Sequence, residues 1–452
     1  MSRLLIAATH KSSGKTTISL GLCAAFVERG LHVQPFKKGP DYIDPLWLSQ
    51  AAQCPCYNLD FYTQTTEEIQ RTVASHAADI SVIEGNMGLY DGLDIEGSNS
   101  NAALAKLLNT PVILIVDTQG MTRGIAPLLL GYQAFEPAIR IAGVILNKTQ
   151  GSRHESKLRA VIEHYTDLPV LGALQRDPTL TIEERHLGLI PNNESQQAQQ
   201  QIHIITCKIA EHVDLDKVLT LAQQAPSLPS FPPISLCEPT PDLKIGIMHD
   251  QAFGFYYEED LKAFRMAGAE LVFINALHDK QLPPIDGLMI GGGFPETNMD
   301  ALANNISFKY SLRTAIEKGL PTYAECGGLM YLAHRLIWGD KSADMVGVLP
   351  CDIQMEAKPQ GRGYVQLQET GQGLWPLATG SVFPAHEFHH SKVINLSNTL
   401  PYAYKVLRGT GIDGQYDGFV YKNTQANYAH LRQVDNNDWV KRFVAFVRKC
   451  CH

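Results

Sequence analysis

The segment LLIAATHKSSGKTT at residues 4–17 constrains the fold of this chain more than any other part of the sequence. Residues 4–8 form a short apolar run, which predicts a strand buried on both faces of a sheet. Residues 9–14 are polar and turn-prone, and Lys15 begins an amphipathic run that ends near Gly30, which predicts a loop followed by a helix. This order predicts an α/β unit with a phosphate-binding loop.

The loop would bind phosphate through its backbone and through its Gly-Lys-Thr-Thr sequence, whose members are Gly14, Lys15, Thr16 and Thr17. Backbone N–H groups of such a loop point inward, and the helix N-terminus adds partial positive charge. Lys15 is expected to reach the β/γ-phosphates of a nucleotide, and Thr16 to hold Mg²⁺. The alternative is an ordinary strand-to-helix turn with a solvated lysine, because Thr9 stands where the strict motif has Gly.

Composition limits the class of protein. A chain of 452 residues with 44% hydrophobic and 19% charged residues is expected to form two or three globular domains. A net charge of −8 argues against general binding to nucleic acid or to an anionic membrane. The nine cysteines are scattered and odd in number, and neither a zinc-ligand spacing, a signal peptide nor an 18-residue apolar stretch is visible. We therefore expect a reduced, cytoplasmic protein without a membrane span.

Residues 1–222 alternate strand and helix patterns, which predicts a doubly wound parallel sheet with ligands at the carboxyl ends of its strands. The main strand candidates are residues 4–8, 32–36, 80–83, 112–116 and 141–146, with a shorter one at 170–173. Acidic residues follow several of these strands, namely Asp41, Asp44, Glu84 and Asp91. In a parallel sheet these tips face the same crevice as the phosphate loop, so the acids can converge near Mg²⁺.

Each acid alone could equally be a turn or cap residue. Lys37 and Lys38, after the second strand, could bind phosphate or an acidic substrate, or could simply be solvated. Asn147, after the fifth strand, could contact a nucleotide base or serve as a turn residue.

Residues 225–241 carry six prolines and form the clearest candidate linker. The sequence thus predicts a first domain at 1–224 and a second α/β domain at 242–452. In the second domain, PTYAECGG predicts a strand, a sharp turn bearing Cys326, and a helix. A thiol on such a turn, at a helix N-terminus, is suited to nucleophilic attack on a carbonyl. The backbone of Gly292 and Gly293 could supply oxyanion donors. The alternative is a buried structural cysteine.

A thiol nucleophile needs a base, and two histidine sites are candidates. One is His386-Glu387-Phe388-His389-His390-Ser391, and the other is His430. The first group could also bind a metal, but we favour substrate binding or an edge-strand turn there. Spacing alone does not choose between the two sites.

Together these motifs resemble the cobyrinate a,c-diamide synthase family. The resemblance runs nearly end to end and is carried by the phosphate loop and by KGPDYIDP, EGNMGLYDG, ILNK, EERHLGLIP at 183–191, GGGFPE, AECGGLMYL, HEFHHS and NYAHLR. It implies a first domain similar to dethiobiotin synthetase and a second domain of the class I glutamine amidotransferase type. It also implies cobalamin biosynthesis, with L-glutamine, ATP, Mg²⁺ and a tetrapyrrole as ligands.

The resemblance also implies roles for individual residues. Cys326 would attack glutamine, with His430 as its catalytic histidine. ATP would then phosphorylate a tetrapyrrole carboxylate, and ammonia, passed through a closed channel, would displace the phosphate. Thr16, Asp44 and Glu84 would hold Mg²⁺, and Asp44 and Glu84 would also be catalytic residues of the phosphorylation step. The residues implied for substrate binding are Asp41, Tyr42 and Asp91, and His386 is the member of the histidine group for which we favour that role. A homodimer is a further expectation.

Some residues depart from the family pattern. Arg432 stands where the usual triad has Glu, two residues after His430, which leaves the orienting partner of His430 open. His10-Lys11, Asn86 and Phe61-Tyr62 also differ, and they favour a related macrocycle as an alternative: sirohydrochlorin, sirohaem or its nickel form. An alternative of another class is a nucleotide-switched binding protein whose amidotransferase domain is inactive.

Overall fold

The computed structural model describes residues 1–76, 78–182, 184–185, 188–189, 197–232, 238–397 and 399–451. Its contacts divide the chain into two compact units, Met1–Ile234 (unit 1) and Ser235–His452 (unit 2). Among these described ranges, no helix is both long and apolar enough to cross a membrane. Much of the EERHLGLIP segment, and residues 233–237 of the proline-rich segment, lie outside the described residues. The linker therefore stays a prediction.

Unit 1 is built on a seven-stranded parallel sheet in the order β3-β2-β4-β1-β5-β6-β7, which confirms the predicted α/β fold. Its strands are β1 Ser2–Ala8, β2 Val33–Lys38, β3 Tyr57–Leu59, β4 Ile80–Glu84, β5 Val112–Asp117, β6 Ile141–Thr149 and β7 Val170–Gln175, with a small hairpin of β8 Glu184–Arg185 and β9 Gly188–Leu189. Its helices are α1 Lys15–Glu28, α2 Ile43–Ala52, α3 Thr66–Ser75, α4 Asn101–Leu108, α5 Ile125–Phe135, α6 Ser152–Tyr165, α7 Ala198–His212 and α8 Leu215–Gln223.

This strand order fixes where a ligand can bind in unit 1. Strand β1 lies in the middle of the sheet, with β4 on one side and β5 on the other. The phosphate loop leaves β1, so it emerges beside the carboxyl ends of both neighbours. Open α/β sheets bind ligands at such a position, outside the carboxyl ends of the strands.

Unit 2 contains a nine-stranded mixed sheet in the order β12-β10-β13-β15-β24-β23-β22-β19-β20, of which the first five strands are parallel. The strands are β10 Leu243–Met248, β11 Phe253–Phe255, β12 Ala269–Ile274, β13 Gly287–Ile290, β14 Gly292–Gly293, β15 Thr322–Glu325, β16 Arg335–Trp338, β17 Lys341–Asp344, β18 Asp352–Met355, β19 Gly361–Glu369, β20 Val382–His389, β21 Ser391–Ile394, β22 Tyr402–Arg408, β23 Tyr416–Tyr421 and β24 Thr424–Asn427. The helices are α9 Glu258–Met266, α10 Met299–Asn304, α11 Ile306–Glu317, α12 Gly327–Leu332 and α13 Trp439–Cys451.

The parallel half of this sheet is covered on both faces. Leu288 packs into one hydrophobic cluster, and its neighbour Met289 packs into the other. Tyr323 and Ala324 of β15 divide between the two clusters in the same way. Consecutive strand residues point to opposite faces, so these short strands are apolar throughout. Such burial holds the end of β15, and the turn that follows it, in one position.

Candidate active sites

The phosphate loop of unit 1 is braced by the end of β6. Gly14 has φ 93°, in the left-handed region, and a Cβ there would lie 2.2 Å from Asn147 Nδ2. Asn147 Nδ2 donates to the Ser13 carbonyl at 2.8 Å, and Lys148 Nζ donates to the Ser12 carbonyl at 2.9 Å. Glycine is therefore required at position 14 for steric and conformational reasons. The predicted nucleotide residue Asn147 lies against the loop itself.

Lys15, the first residue of α1, extends along the loop that follows β4. Its Nζ donates to the Met87 carbonyl at 2.5 Å. The side chain is buried, and this burial lowers the pKa of Lys15 to about 8. A desolvated ammonium of this kind gains more than an exposed one from an anionic partner such as phosphate.

Two carboxylates that follow β2 and one at the end of β4 converge on one lysine. Lys37 Nζ lies 2.5 Å from Asp44 Oδ2, 2.9 Å from Glu84 Oε1 and 3.8 Å from Asp41 Oδ2. Thr16 Oγ1 donates to Glu84 Oε1 at 2.7 Å. The structure therefore groups three of the four predicted acids beside the first turn of α1.

The fourth acid, Asp91, belongs to the loop after β4. Its Oδ2 accepts a hydrogen bond from the Gly88 N–H at 2.8 Å. Asp41 also has a local role, because its Oδ1 accepts from the N–H groups of Ile43 (2.9 Å) and Asp44 (3.0 Å) at the start of α2. Tyr42 between them is buried. Asp41 and Asp91 thus serve as a helix cap and a turn residue, although each of these contacts uses only one of the two carboxylate oxygens.

Glu84 is the most buried member of this cluster, with no exposed surface. Burial raises the pKa of Glu84 to about 7, against the opposing attraction of Lys37. Burial would lower the pKa of Lys37, but Asp44, Glu84 and Asp41 together raise it well above its usual value. Glu84 Oε2 is buried and makes no hydrogen bond to any described residue.

This donor set fits Mg²⁺. It offers the carboxylates of Asp44 and Glu84 and the hydroxyl of Thr16 within one small region. Across the described part of the chain, no group of three or more His, Cys, Asp or Glu side chains forms a metal site. Mg²⁺ commonly takes only one or two carboxylates and completes its shell with phosphate oxygens and water.

Cys326 stands at the sharp turn between β15 and α12 in unit 2. Its φ is 47° and its ψ is −100°, a strained conformation for a residue other than glycine. Its N–H donates to the Asn427 carbonyl of the neighbouring strand at 2.7 Å. A Cβ at Gly328 would lie 2.3 Å from the Ile290 carbonyl oxygen, so glycine is needed there for the helix to pack on the sheet. The predicted elbow is present, with the strain located at the thiol.

His430 is the histidine that the fold brings to Cys326. Their side chains share a hydrogen bond. His430 Nδ1 lies 3.2 Å from Glu325 Oε2, and both side chains are only 3% exposed. Burial would lower the pKa of His430, but the hydrogen bonds to Cys326 and Glu325 raise it to about 10.

His386 lies beside His430 through the backbone. The His430 N–H donates to the His386 carbonyl at 2.7 Å. Burial and the nearby His430 lower the pKa of His386 to about 3, so its ring is neutral at ordinary pH. Further along the segment, His389 stacks on Tyr428 with ring centroids 3.8 Å apart. This histidine group is therefore mainly structural and packs beside His430.

The glycine segment after β13 lies against the same site. A Cβ at Gly292 would lie 2.6 Å from His430 Cε1, and one at Gly293 would lie 2.1 Å from the Ala252 carbonyl oxygen. A Cβ at Gly327 would lie 3.1 Å from the Gly293 backbone nitrogen, so this segment is also close to the thiol turn. The Gly291 N–H donates to the Tyr256 hydroxyl at 2.9 Å.

Sequence reasoning misses Glu325 and leaves Lys37 open. For Lys37, at the centre of the carboxylates, the sequence allows a ligand role or a solvated one. Glu325 falls within the strand predicted by PTYAECGG, and an acid in a buried strand gives no periodic signal. Its position directly before a candidate nucleophile was the one available clue.

Arg432 pairs with a carboxylate of α9. Its Nη2 lies 2.7 Å from Glu259 Oε1, and its guanidinium lies 4.8 Å from the ring centroid of Tyr257. The side chain is 1% exposed, so it is a fully buried cation. It therefore anchors α9 to the segment that carries His430.

We expect Arg432→Ala to destabilise unit 2 by roughly 3–5 kcal/mol, because it removes the cation of a buried pair. Arg448→Ala is the matched control, since Arg448 pairs with Asp242 near the surface and should cost about 1 kcal/mol or less. Urea unfolding followed by tryptophan fluorescence measures both, because three of the four tryptophans lie in unit 2. Equal losses in the two variants would contradict the structural role given to Arg432.

Comparison with known proteins identifies both units. A family model for a CobB/CobQ-like glutamine amidotransferase domain matches residues 244–438, and one for an AAA domain matches residues 2–184. A cobyrinate a,c-diamide synthase of Magnetococcus marinus is 45% identical over 99% of this chain and 97% of its own length. The protein of that name from Methanosarcina acetivorans is 39% identical over 96% and 92%. A solved glutamine amidotransferase structure covers 45% of this chain and 98% of its own at 17% identity and a TM-score of 0.34.

Proposed function

The chain belongs to the cobyrinate a,c-diamide synthase family, and we propose that it converts peripheral carboxylates of cobyrinate or hydrogenobyrinate to amides through an acyl phosphate. As a member of this family it is a carbon–nitrogen ligase that uses ATP and takes nitrogen from glutamine. The observation that carries the proposal is the presence of two separate sites in one chain. One is the thiol–imidazole pair of unit 2, and the other is the phosphate loop with its carboxylates in unit 1.

In the proposed glutamine step, Cys326 Sγ attacks the carbon of the glutamine side-chain amide. His430 takes the thiol proton and returns it to the departing nitrogen, which leaves as ammonia. The product on the enzyme is a γ-glutamyl thioester, which water then hydrolyses to glutamate. The negative charge that develops on the amide oxygen would be stabilised by backbone N–H groups of Gly292 and Gly293.

In the proposed ATP step, an oxygen of the substrate carboxylate attacks the γ-phosphorus and ADP leaves. Ammonia then attacks the acyl carbon, the bond between that carbon and the phosphate oxygen breaks, and phosphate leaves with the oxygen and one proton from the nitrogen. Lys15 and the phosphate loop would hold the phosphates, while Thr16, Asp44 and Glu84 would hold Mg²⁺. Mg²⁺ bound there would neutralise charge on the phosphate oxygens, and the positioning would come from the protein.

The remaining assignments concern binding. Asn147 and the loop residues would bind the nucleotide together, because Asn147 contacts the loop at Ser13. Asp41, Tyr42 and Asp91 lie on the loops that border the phosphate site, which suits contacts to the macrocycle. His386 borders His430 in unit 2, so the substrate it would contact is glutamine.

The acyl phosphate is tested by isotope transfer. A substrate labelled with ¹⁸O in its carboxylates should deliver one ¹⁸O atom to inorganic phosphate for every amide formed, because the carbon–oxygen bond breaks after phosphorylation. Phosphate without ¹⁸O, at normal amide yield, would contradict the acyl phosphate. The measurement is mass spectrometry of the released phosphate.

We expect Gly292→Ala to lower glutaminase activity by roughly 100-fold, as a displacement of about 1 Å of a catalytic group can do. The added Cβ would lie 2.6 Å from His430 Cε1 and must push the imidazole away from the thiol. Gly131→Ala is the matched control, because a Cβ at Gly131 meets nothing within 4 Å. Steady-state glutamate release measures both, and normal activity in Gly292→Ala would argue against His430 as the base.

A further inference from the structure

The carboxylate nearest to His430 comes from the residue that directly precedes the nucleophile. Glu325 Oε2 lies 3.2 Å from His430 Nδ1, and both side chains are buried. Building on the proposed glutaminase role of Cys326 and His430, we propose that Glu325 is the positioning residue for the His430 imidazole. It accepts the Nδ1–H hydrogen bond and leaves Nε2 as the ring nitrogen for the thiol proton.

Glu325 is itself held by a fixed set of donors. Its Oε1 accepts from the Tyr323 hydroxyl at 2.6 Å and from the Leu431 N–H at 2.8 Å. Asn427 Nδ2 in turn donates to the Tyr323 hydroxyl at 2.7 Å. These residues lie on β15, on β24 and on the segment after β24, and the two strands pair in parallel register. One oxygen of the carboxylate is thus occupied by donors of the scaffold, and the other faces His430.

Other charged groups nearby have different partners. Arg432, two residues after His430, cannot accept the Nδ1–H because it is a cation, and it pairs with Glu259. Asp417 accepts from the backbone N–H groups of Tyr428 and Ala429. Asp260 Oδ1 accepts from the Gln433 N–H at 2.7 Å.

The strained turn explains how adjacent residues can serve the same imidazole. In an extended strand, consecutive side chains point to opposite faces of the sheet. The φ of 47° at Cys326 departs from that geometry and redirects the thiol. Glu325 and Cys326 can therefore both contact His430, one at each ring nitrogen. The orienting carboxylate and the nucleophile are then fixed by one rigid strand end.

The first test is the glutaminase activity of three full-length variants. Glu325→Ala should lower kcat by roughly 100-fold or more, with KM little changed, because the ring is no longer held in the reactive tautomer and orientation. Glu325→Gln keeps the shape but places an amide at Nδ1, and should also lose most of kcat. Tyr323→Phe removes only one donor to Glu325 and should lose far less. Formate added to Glu325→Ala should restore part of the activity, which a purely structural defect would not allow.

The second test separates positioning from folding. Alkylation of the Cys326 peptide by iodoacetamide, followed by mass spectrometry across pH, reports the charge coupling between the thiol and His430. The groups that face His430 are Cys326, Glu325 and the neutral His386. Without the Glu325 carboxylate the protonated imidazole is less stable and supports the Cys326 thiolate less well. The alkylation profile of Glu325→Ala should therefore move to higher pH, by about one unit. A normal kcat and an unmoved alkylation profile in Glu325→Ala would overturn the proposal.

Different results would contradict the proposed glutaminase function of unit 2 and the positioning role of Glu325. If Cys326→Ala still hydrolyses glutamine, the proposed function of unit 2 is wrong, and the role of Glu325 falls with it. If Cys326→Ala is inactive while Glu325→Ala and Glu325→Gln are normal, only the positioning role is wrong.

Discussion

We expect Cys326→Ala to abolish glutamine-dependent amidation and to leave ammonia-dependent amidation near the parent rate. In the proposed mechanism the thiol forms the covalent bond to glutamine, so its loss should lower the glutamine-driven rate by at least about 10³-fold. Ammonia supplied as an ammonium salt bypasses this step and uses only the site in unit 1. The measurement compares amide formation with glutamine and with ammonium chloride, at saturating MgATP.

Cys351→Ala is the matched control for this variant. Cys351 is also a buried free cysteine of unit 2, at 1% exposure, but it is not part of the thiol–imidazole pair. It should keep both activities. If Cys326→Ala lost both activities equally, the separation into two sites would be wrong.

Glu84→Gln should have the opposite pattern. Its carboxylate is buried between Thr16 and Lys37, so the amide removes a negative charge where phosphate and Mg²⁺ are proposed to meet. We expect amidation with either nitrogen source to fall by at least about 100-fold, since even indirect ligand changes cost 10–100-fold. Glutamate release at Cys326 should continue. Asp44→Asn should behave in the same way.

The matched control here is Asp216→Asn, an exposed acid of unit 1 that pairs with Arg29. It should leave amidation unchanged. The assay follows amide formation and glutamate release in the same reaction. Near-normal amidation in both Glu84→Gln and Asp44→Asn would remove these residues from the mechanism.

Strands that are continuous apolar runs could be predicted from the sequence. The strand candidate at 4–8 lies within β1, and the candidate at 112–116 lies within β5. The sequence predicts the second strand at 32–36, whereas β2 runs Val33–Lys38. Lys37 and Lys38 continue the strand because they pair in register with β3 and β4 and are buried there. The three-residue strand β3 gave no signal long enough to detect.

The candidate sites were predictable to the extent that strand ends converge. The parallel pairing of β2 and β4 places Lys37 and Glu84 side by side, and this follows from alternation. Asp44 joins them from the start of α2, so its position also depends on the loop after β2. Which ring nitrogen or carboxylate faces which partner depends on side-chain packing. The contact between Glu325 and His430, 105 residues apart, therefore could not be read from spacing.

The residues that depart from the family pattern have partners inside this chain. Asn86 Oδ1 accepts from Lys38 Nζ at 2.9 Å, and its backbone N–H donates to Asn101 Oδ1 at 3.1 Å. Phe61 packs against the hydrophobic core of unit 1. Asn86 and Phe61 thus have contacts within unit 1, and the alternative of a related macrocycle stays a prediction.

The most direct test of the two-site account is mass spectrometry of cobyrinate incubated with the full chain, MgATP and glutamine labelled with ¹⁵N in its side-chain amide. We expect an ATP-dependent diamide in which both new amides carry ¹⁵N, with sirohydrochlorin left unchanged in a parallel reaction. Amidation of sirohydrochlorin instead of cobyrinate would contradict the proposed substrate. Glutamate release without any ATP-dependent amide would contradict the account as a whole.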